Sequence, residues 1–134
     1  MRRFSLISLL ILFVVSCKQP DKIEDTRQTY LVKHTWKYTS MFVNGSPQTL
    51  DPCLIDDIWS FSPSGDMLIN YGDIRCSTGQ TPSLSGTYHL SPDQNSLYIA
   101  ALGTTFKVNI IDEYTLDITQ ANNFDSTRYV LNAR

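Results

Sequence analysis

The chain has 134 residues, 11 Lys plus Arg against 13 Asp plus Glu, and three cysteines. That length holds one domain around one hydrophobic core and excludes a second. The mild acidity, with cations spread singly rather than clustered, argues against a nucleic-acid partner and gives the folded part no electrostatic reason to adhere to anionic lipid.

Residues 1–16 carry the three parts of a secretory leader: cationic Arg2 and Arg3, an apolar run over 4–15 broken only by Ser5 and Ser8, and the small residue Ser16. Cys17 follows Val14-Val15-Ser16 in the manner of a lipobox, with Val where Leu usually stands. The expectation is a bacterial lipoprotein signal peptide over 1–16 and a mature chain whose first residue, Cys17, carries the lipid. Its removal leaves 118 residues with 9 Lys plus Arg against 13 Asp plus Glu, a formal −4. Two or more acyl chains suffice for stable membrane attachment. Cysteine parity points the same way. With Cys17 acylated, Cys53 and Cys76 remain as a pair that an oxidising compartment lets close.

Residues 18–28 are polar, with one proline and only Ile23 as a sizeable apolar group, and read as a tether. Residues 17–29 are therefore expected to be anchor and flexible tether, and 30–134 the folded domain. From Tyr30 onward Thr, Tyr, Ile, Val, Phe and Trp alternate with polar residues between clusters of Gly, Pro, Asn, Asp and Ser, which is strand-and-turn chemistry. Glu occurs only at 24 and 113, and no later stretch holds an apolar 3.6 period for three turns, so no long helix is expected.

Period-two alternation predicts eight strands, near 34–43, 57–61, 67–71, 84–90, 96–101, 105–111, 115–119 and 128–131. Turn signals separate them: Asn44-Gly45, Ser62-Pro63-Ser64-Gly65-Asp66, Ser91-Pro92-Asp93-Gln94-Asn95, Leu102-Gly103 and Asp112-Glu113. Only the connections 44–56 and 72–83 are long, and each holds one of the paired cysteines. Short connections make sequential strands antiparallel neighbours, and eight of them with one apolar face close as an up-and-down barrel. The fold class is thus all-β, an eight-stranded antiparallel barrel. A β-sandwich would use the same alternation and is the alternative. Parity sends Trp36, Tyr38, Trp59, Phe61, Tyr88, Leu90, Leu97, Ile99, Phe106, Val108, Ile110, Leu116, Ile118, Tyr129 and Leu131 inward. Their neighbours Lys37, Thr39, Ser60, His89, Lys107, Asp117 and Arg128 are expected to face solvent.

Thr35-Trp36-Lys37, Cys53 with Asp56-Asp57, Phe61 before Ser64-Gly65-Asp66, Cys76, and Gly86-Thr87-Tyr88 form a spaced set. In that set the chain resembles the small lipocalin-like lipoproteins of Gram-negative bacteria, over nearly all of 31–131. Leu97, Phe106-Lys107-Val108 and Tyr114-Thr115-Leu116 follow the same cadence. The resemblance implies an eight-stranded calyx able to hold a small apolar ligand and implies no catalytic activity. Lipocalins proper carry Gly two residues before the Trp, where this chain has His34, and an Asp-Tyr pair between later strands that this chain lacks. By position, Arg128 corresponds to the last-strand Arg that packs on the Trp in lipocalins.

The sequence offers little reactive chemistry. His34, on the inward parity, and His89, on the outward one, have no Cys or carboxylate at metal-ligand spacing, so no metal and no cofactor are expected. Cys53 and Cys76 lack redox spacing, and no Ser sits in a G-x-S-x-G elbow. Asp56-Asp57, with Asp51 or Asp73, falls short of a calcium loop and reads as capping a turn before the second strand. Ligand contacts are expected from the inward aromatics Trp36, Tyr38, Trp59, Phe61, Tyr88, Phe106 and Tyr129. The expected protein is a non-enzymatic lipoprotein of the cell envelope, at the outer membrane, binding a small apolar or amphipathic molecule. The competing reading is a solid barrel whose two long loops, joined by the disulfide, engage an envelope protein.

Overall fold

The computed structural model describes residues 26–134, so the expected leader, Cys17 and the first part of the tether lie outside the described residues. The described chain opens with helix α1 (Arg27–Lys33), which begins inside the segment expected to be tether. Thr26 caps it by accepting from the Thr29 N–H, satisfying one free donor of the first turn. Strand β1 (Thr35–Val43) follows, then a short return strand β2 (Ser46–Gln48), the helical turn α2 (Pro52–Ile55), β3 (Ile58–Phe61) and β4 (Asp66–Asn70). The rest is β5 (Ser83–Leu90), β6 (Ser96–Ile99), a 3-10 turn (Ala100–Leu102), β7 (Thr104–Ile111), β8 (Thr115–Ala121) and β9 (Ser126–Ala133).

All eight expected strands are present. The ninth, β2, pairs only with β1 across Asn44-Gly45, both of which have positive φ, the geometry of a two-residue hairpin turn. Its composition, Ser-Pro-Gln, is what hides it from a pattern search. The remaining strands pair antiparallel in sequence order from β1 to β9, and β9 pairs back onto β1, from Trp36 opposite Ala133 to Val43 opposite Thr127. That last pairing closes the eight-stranded up-and-down barrel and removes the sandwich alternative, which would leave free edges.

Up-and-down order sends alternate connections to opposite ends. At one end α1 packs over the barrel as a plug. Leu31 and Trp36 are fully buried there, and the Trp36 indole donates to the Leu31 carbonyl at 3.0 Å. The helix is tied to neighbouring turns by Arg27, which donates to the Gln94 carbonyl (2.8 Å) and Asn95 Oδ1 (2.9 Å), and by Gln28, which donates to the Tyr88 hydroxyl (2.8 Å). The Tyr88 hydroxyl in turn donates to the Ser62 carbonyl at 2.8 Å. Leu97, Leu116 and Leu131 complete the solid packing, with no exposed surface. Gly86, in the Gly-Thr-Tyr run, sits where a Cβ would come within 2.6 Å of Ala101 Cβ, so the close approach of β5 to the 3-10 turn requires its missing side chain.

Two register shifts interrupt the ladder, and one of them corrects the parity reading. In β7 the register shifts between Val108 and Ile110, so that Ile111 is buried and Ile110, expected inside, is 42% exposed. One extra residue reverses every later side chain. The bulged residue Asn109 donates to Asp117 Oδ1 (2.9 Å) and Thr119 Oγ1 (2.8 Å). Asp117 does not face solvent as expected. It lies on the outer face yet is only 1% exposed, because Asn109 and Arg128 cover it. Arg128 also departs from expectation, since it pairs with Asp117 and lies over the Phe42 ring at 5.1 Å instead of packing on Trp36. In β1 a second shift falls between Tyr38 and Ser40.

Candidate functional site

The end of the barrel opposite α1 is open. Connections from β1 to β3, β4 to β5, β6 to β7 and β8 to β9 meet there, and between them lies a cavity of about 270 Å³. At roughly 30 Å³ per water this is the space of about nine water molecules, just under the usual range for small-ligand sites.

The floor is aromatic. Tyr38, Trp59, Phe106 and Tyr129 all line the cavity and form a closed cycle of ring contacts. Tyr38 meets Trp59 (centroids 5.6 Å apart) and Tyr129 (5.7 Å), and Phe106 meets Trp59 (6.4 Å) and Tyr129 (6.3 Å). Edge and tilted contacts of this kind hold each ring in one orientation. The sides are completed by Ile69, Thr104 and Gln120, and the rim by Leu54 of α2, Tyr71 after β4 and Leu102 of the 3-10 turn. Of the seven expected ligand-contacting aromatics, these four reach the cavity. Trp36, Phe61 and Tyr88 do not: inward parity placed all seven on one face, but the first turn of the barrel is filled solid by α1 and its neighbours. Phe61 packs on Tyr88 at 4.9 Å below the floor.

The two long connections join at the rim through the Cys53–Cys76 disulfide, with Cα atoms 5.1 Å apart, so the expected pairing is formed. Asp51 accepts from the Cys53 N–H and caps α2, whose Pro52 lies in its first turn. Asp56, at the other end of α2, accepts from the N–H groups of Asp73 (2.7 Å) and Ile74 (3.0 Å). Gly72 makes room for that carboxylate at positive φ, where a Cβ would collide with it. Arg75 donates to the Tyr71 carbonyl at 3.0 Å and to the Gly72 carbonyl. The capping role expected for the Asp56-Asp57 pair thus belongs to Asp56, together with Asp51.

Asp57 has a different place. It lines the cavity, is 3% exposed, and its Oδ1 has no hydrogen-bond partner. Burial, and then the neighbouring Asp56 carboxylate, push its pKa up to about 6, while the charge of Arg75 pulls the other way. Asp56 shifts downward: the Ile74 N–H favours its charged form most, joined by the Asp73 N–H, against a partial desolvation. Tyr38 is held well above its ordinary range by burial, then by Tyr129, Asp57 and Tyr71. The Trp59 indole N–H opposes that shift but lies outside hydrogen-bond geometry, leaving Nε1 without an acceptor. Burial also raises Tyr129. Asp57 was readable as a site residue, since it shares the inward parity of Trp59 and Phe61.

His34 lies at the plugged end, its ring edge-on to Trp36 at 5.8 Å, and His89 is exposed on the outer wall of β5. Among the described residues no three His, Cys, Asp or Glu side chains come together as a metal-binding group. A second hollow of about 330 Å³ crosses the edges of β3, β4 and β5. It is lined by Ser60, Ser62, Ser85 and Asp66 together with Phe61, Met67 and Leu68, so Phe61 borders this hollow rather than the cavity, and none of the buried unpartnered atoms belongs to its lining. No family model, no curated protein and no solved structure matches the chain.

Proposed function

We propose that this protein is a lipocalin-like lipoprotein of the cell envelope, held at the outer membrane by acyl chains on Cys17, which binds one small apolar or amphipathic molecule without covalent chemistry. The observation that carries the binding half is the asymmetry of the barrel: solid at the α1 end, and open at the other over an aromatic floor. A core serving stability alone gains by filling such a space. The anchoring half is supported by the leader-like segment, the small residue before Cys17, and the Cys53–Cys76 bond that leaves Cys17 as the odd cysteine. Native mass spectrometry of the protein purified from its own membrane tests the binding, with a retained small-molecule mass expected. Cys17→Ser tests the anchor and should give a soluble or uncleaved precursor. A cleaved Cys17→Ser form in the membrane fraction would refute acylation.

A second reading is favoured by the rim. Ile55 (44% exposed), Ile74 (51%) and Phe124 (92%) belong to connections at the open end, with Leu102 beside them. Apolar groups around a mouth suit a protein partner as well as a ligand portal. Cross-linking from these positions in whole cells separates the two, because only an envelope-protein partner yields a discrete heavier species.

A further inference from the structure

We propose that the cavity takes a small organic cation, an amine whose ammonium sits against Asp57 and whose apolar part lies on the floor of Tyr38, Trp59, Phe106 and Tyr129. This rests on the ligand-binding reading above and names the ligand's chemical class. A buried carboxylate without a partner is costly, and in a folded core such groups are paired. Oδ1 of Asp57 is not. The neighbouring cation, Arg75, donates to the Tyr71 and Gly72 carbonyls instead. Asp56 adds a second negative charge beside it and the Arg75 guanidinium offsets one of the two, so the rim stays net negative and favours a cation over an anion.

The walls agree with that sign. Aromatic faces carry negative potential that attracts ammonium groups, more strongly when water is thinned out, and four rings meet at this floor. A neutral apolar ligand would dehydrate Asp57 further and return nothing to it, whereas an ammonium supplies both donors and charge. With its pKa near 6, Asp57 is largely ionised at neutral pH, while Tyr38 and Tyr129 stay protonated. The volume of about 270 Å³ limits the ligand to the size of a simple arylalkylamine.

Calorimetric titration of the purified full chain with 2-phenylethylamine, 2-phenylethanol and phenylacetate at pH 7.5 tests this, since the three probes share shape and differ in charge. The amine should bind about tenfold or more tighter than the alcohol, and phenylacetate should bind weakest. In Asp57→Asn, which keeps the side-chain shape, the preference for the amine should vanish while the alcohol still binds. Equal affinity for amine and alcohol, or an amine preference that survives Asp57→Asn, overturns the cation assignment and leaves the cavity reading standing. Failure of all three probes, together with failure of a neutral hydrocarbon probe such as toluene, overturns both.

Discussion

Asp56 and Asp57 are adjacent in the chain and differently held: Asp56 accepts two backbone N–H groups on Oδ2 and so holds the rim loop, although its Oδ1 is buried without a partner, while no hydrogen bond reaches Asp57 Oδ1, buried in the cavity wall. The division follows from their position at the junction of α2 and β3. Asp56 ends the helical turn in αR geometry, and Asp57 begins the inward parity of β3. One carboxylate contributes structure, and its neighbour is desolvated without a compensating hydrogen bond, as the proposed ligand contact requires.

The cost of that desolvation should appear in the pH dependence of folding. The Asp57 pKa is raised from 3.8 to about 6 in the folded protein, so the folded state binds this proton more tightly than the unfolded state. Its unfavourable contribution is absent below about pH 4, grows between about pH 4 and 6, and is constant above that. At about 1.4 kcal/mol per unit the ceiling is about 3 kcal/mol, lowered by water in the open cavity. Asp57→Asn should therefore be more stable than wild type by about 1–3 kcal/mol at pH 7 and nearly equal at pH 4. Urea midpoints of both proteins at the two pH values measure this, and a difference that ignores pH contradicts it.

The Asp117–Arg128 pair has the opposite sign. Burial pushes the Asp117 pKa up, but the Arg128 and Asn109 hydrogen bonds and the Arg128 charge outweigh it and hold the carboxylate below its ordinary range. Arg128 Nη2 lies 2.5 Å from Oδ2. Arg128→Ala should cost about 2–3 kcal/mol at pH 7, because it strands a buried charge. The stabilising contribution of a lowered carboxylate is present above the unfolded value and is lost as pH falls through the folded one. The gap between wild type and Arg128→Ala should therefore narrow below about pH 4, as chemical denaturation across pH 2.5–7 would show.

Breaking the Cys53–Cys76 bond should cost about 3 kcal/mol by the chain-entropy model for a loop of this size. The double substitution Cys53→Ser, Cys76→Ser should also loosen the rim while leaving the plugged end intact. Amide hydrogen exchange should then rise in residues 71–82 and stay unchanged around Leu31 and Trp36. Equal loss of protection at both ends would mean that the bond supports the whole barrel.

The two tryptophans divide reporting from stability. Trp59 lines the cavity, and Trp36 sits under α1 at the far end. Ligand titration should change the emission of wild type and of Trp36→Phe but not of Trp59→Phe. Trp36→Ala should cost about 3–5 kcal/mol through the void it leaves, together with the bond to the Leu31 carbonyl. An emission change that depends on Trp36 would place the ligand at the plugged end.

Residue pattern alone was enough to read the eight strands, their antiparallel order and the Cys53–Cys76 pair, whereas closure into a barrel rather than a sandwich was settled by the pairing of β9 with β1. Period-two alternation, short turns and cysteine parity are local or countable features, and a barrel that must bury one face of every strand leaves few ways to arrange them. The tertiary structure alone decided which inward residues face a solid core and which face a cavity, because alternation gives the face of a strand but not its height in the barrel. Trp36, Phe61 and Tyr88 share the parity of Tyr38, Trp59 and Phe106, but they lie nearer the end that a helix of seven residues, too short to show periodicity, covers. It also decided the fate of Asp117 and Ile110, through a one-residue bulge at Asn109 that composition does not mark. Asp57 lay between the two: its parity was readable, but its isolation depends on Arg75 being engaged by two carbonyls of its own loop, a contact that only the folded rim creates.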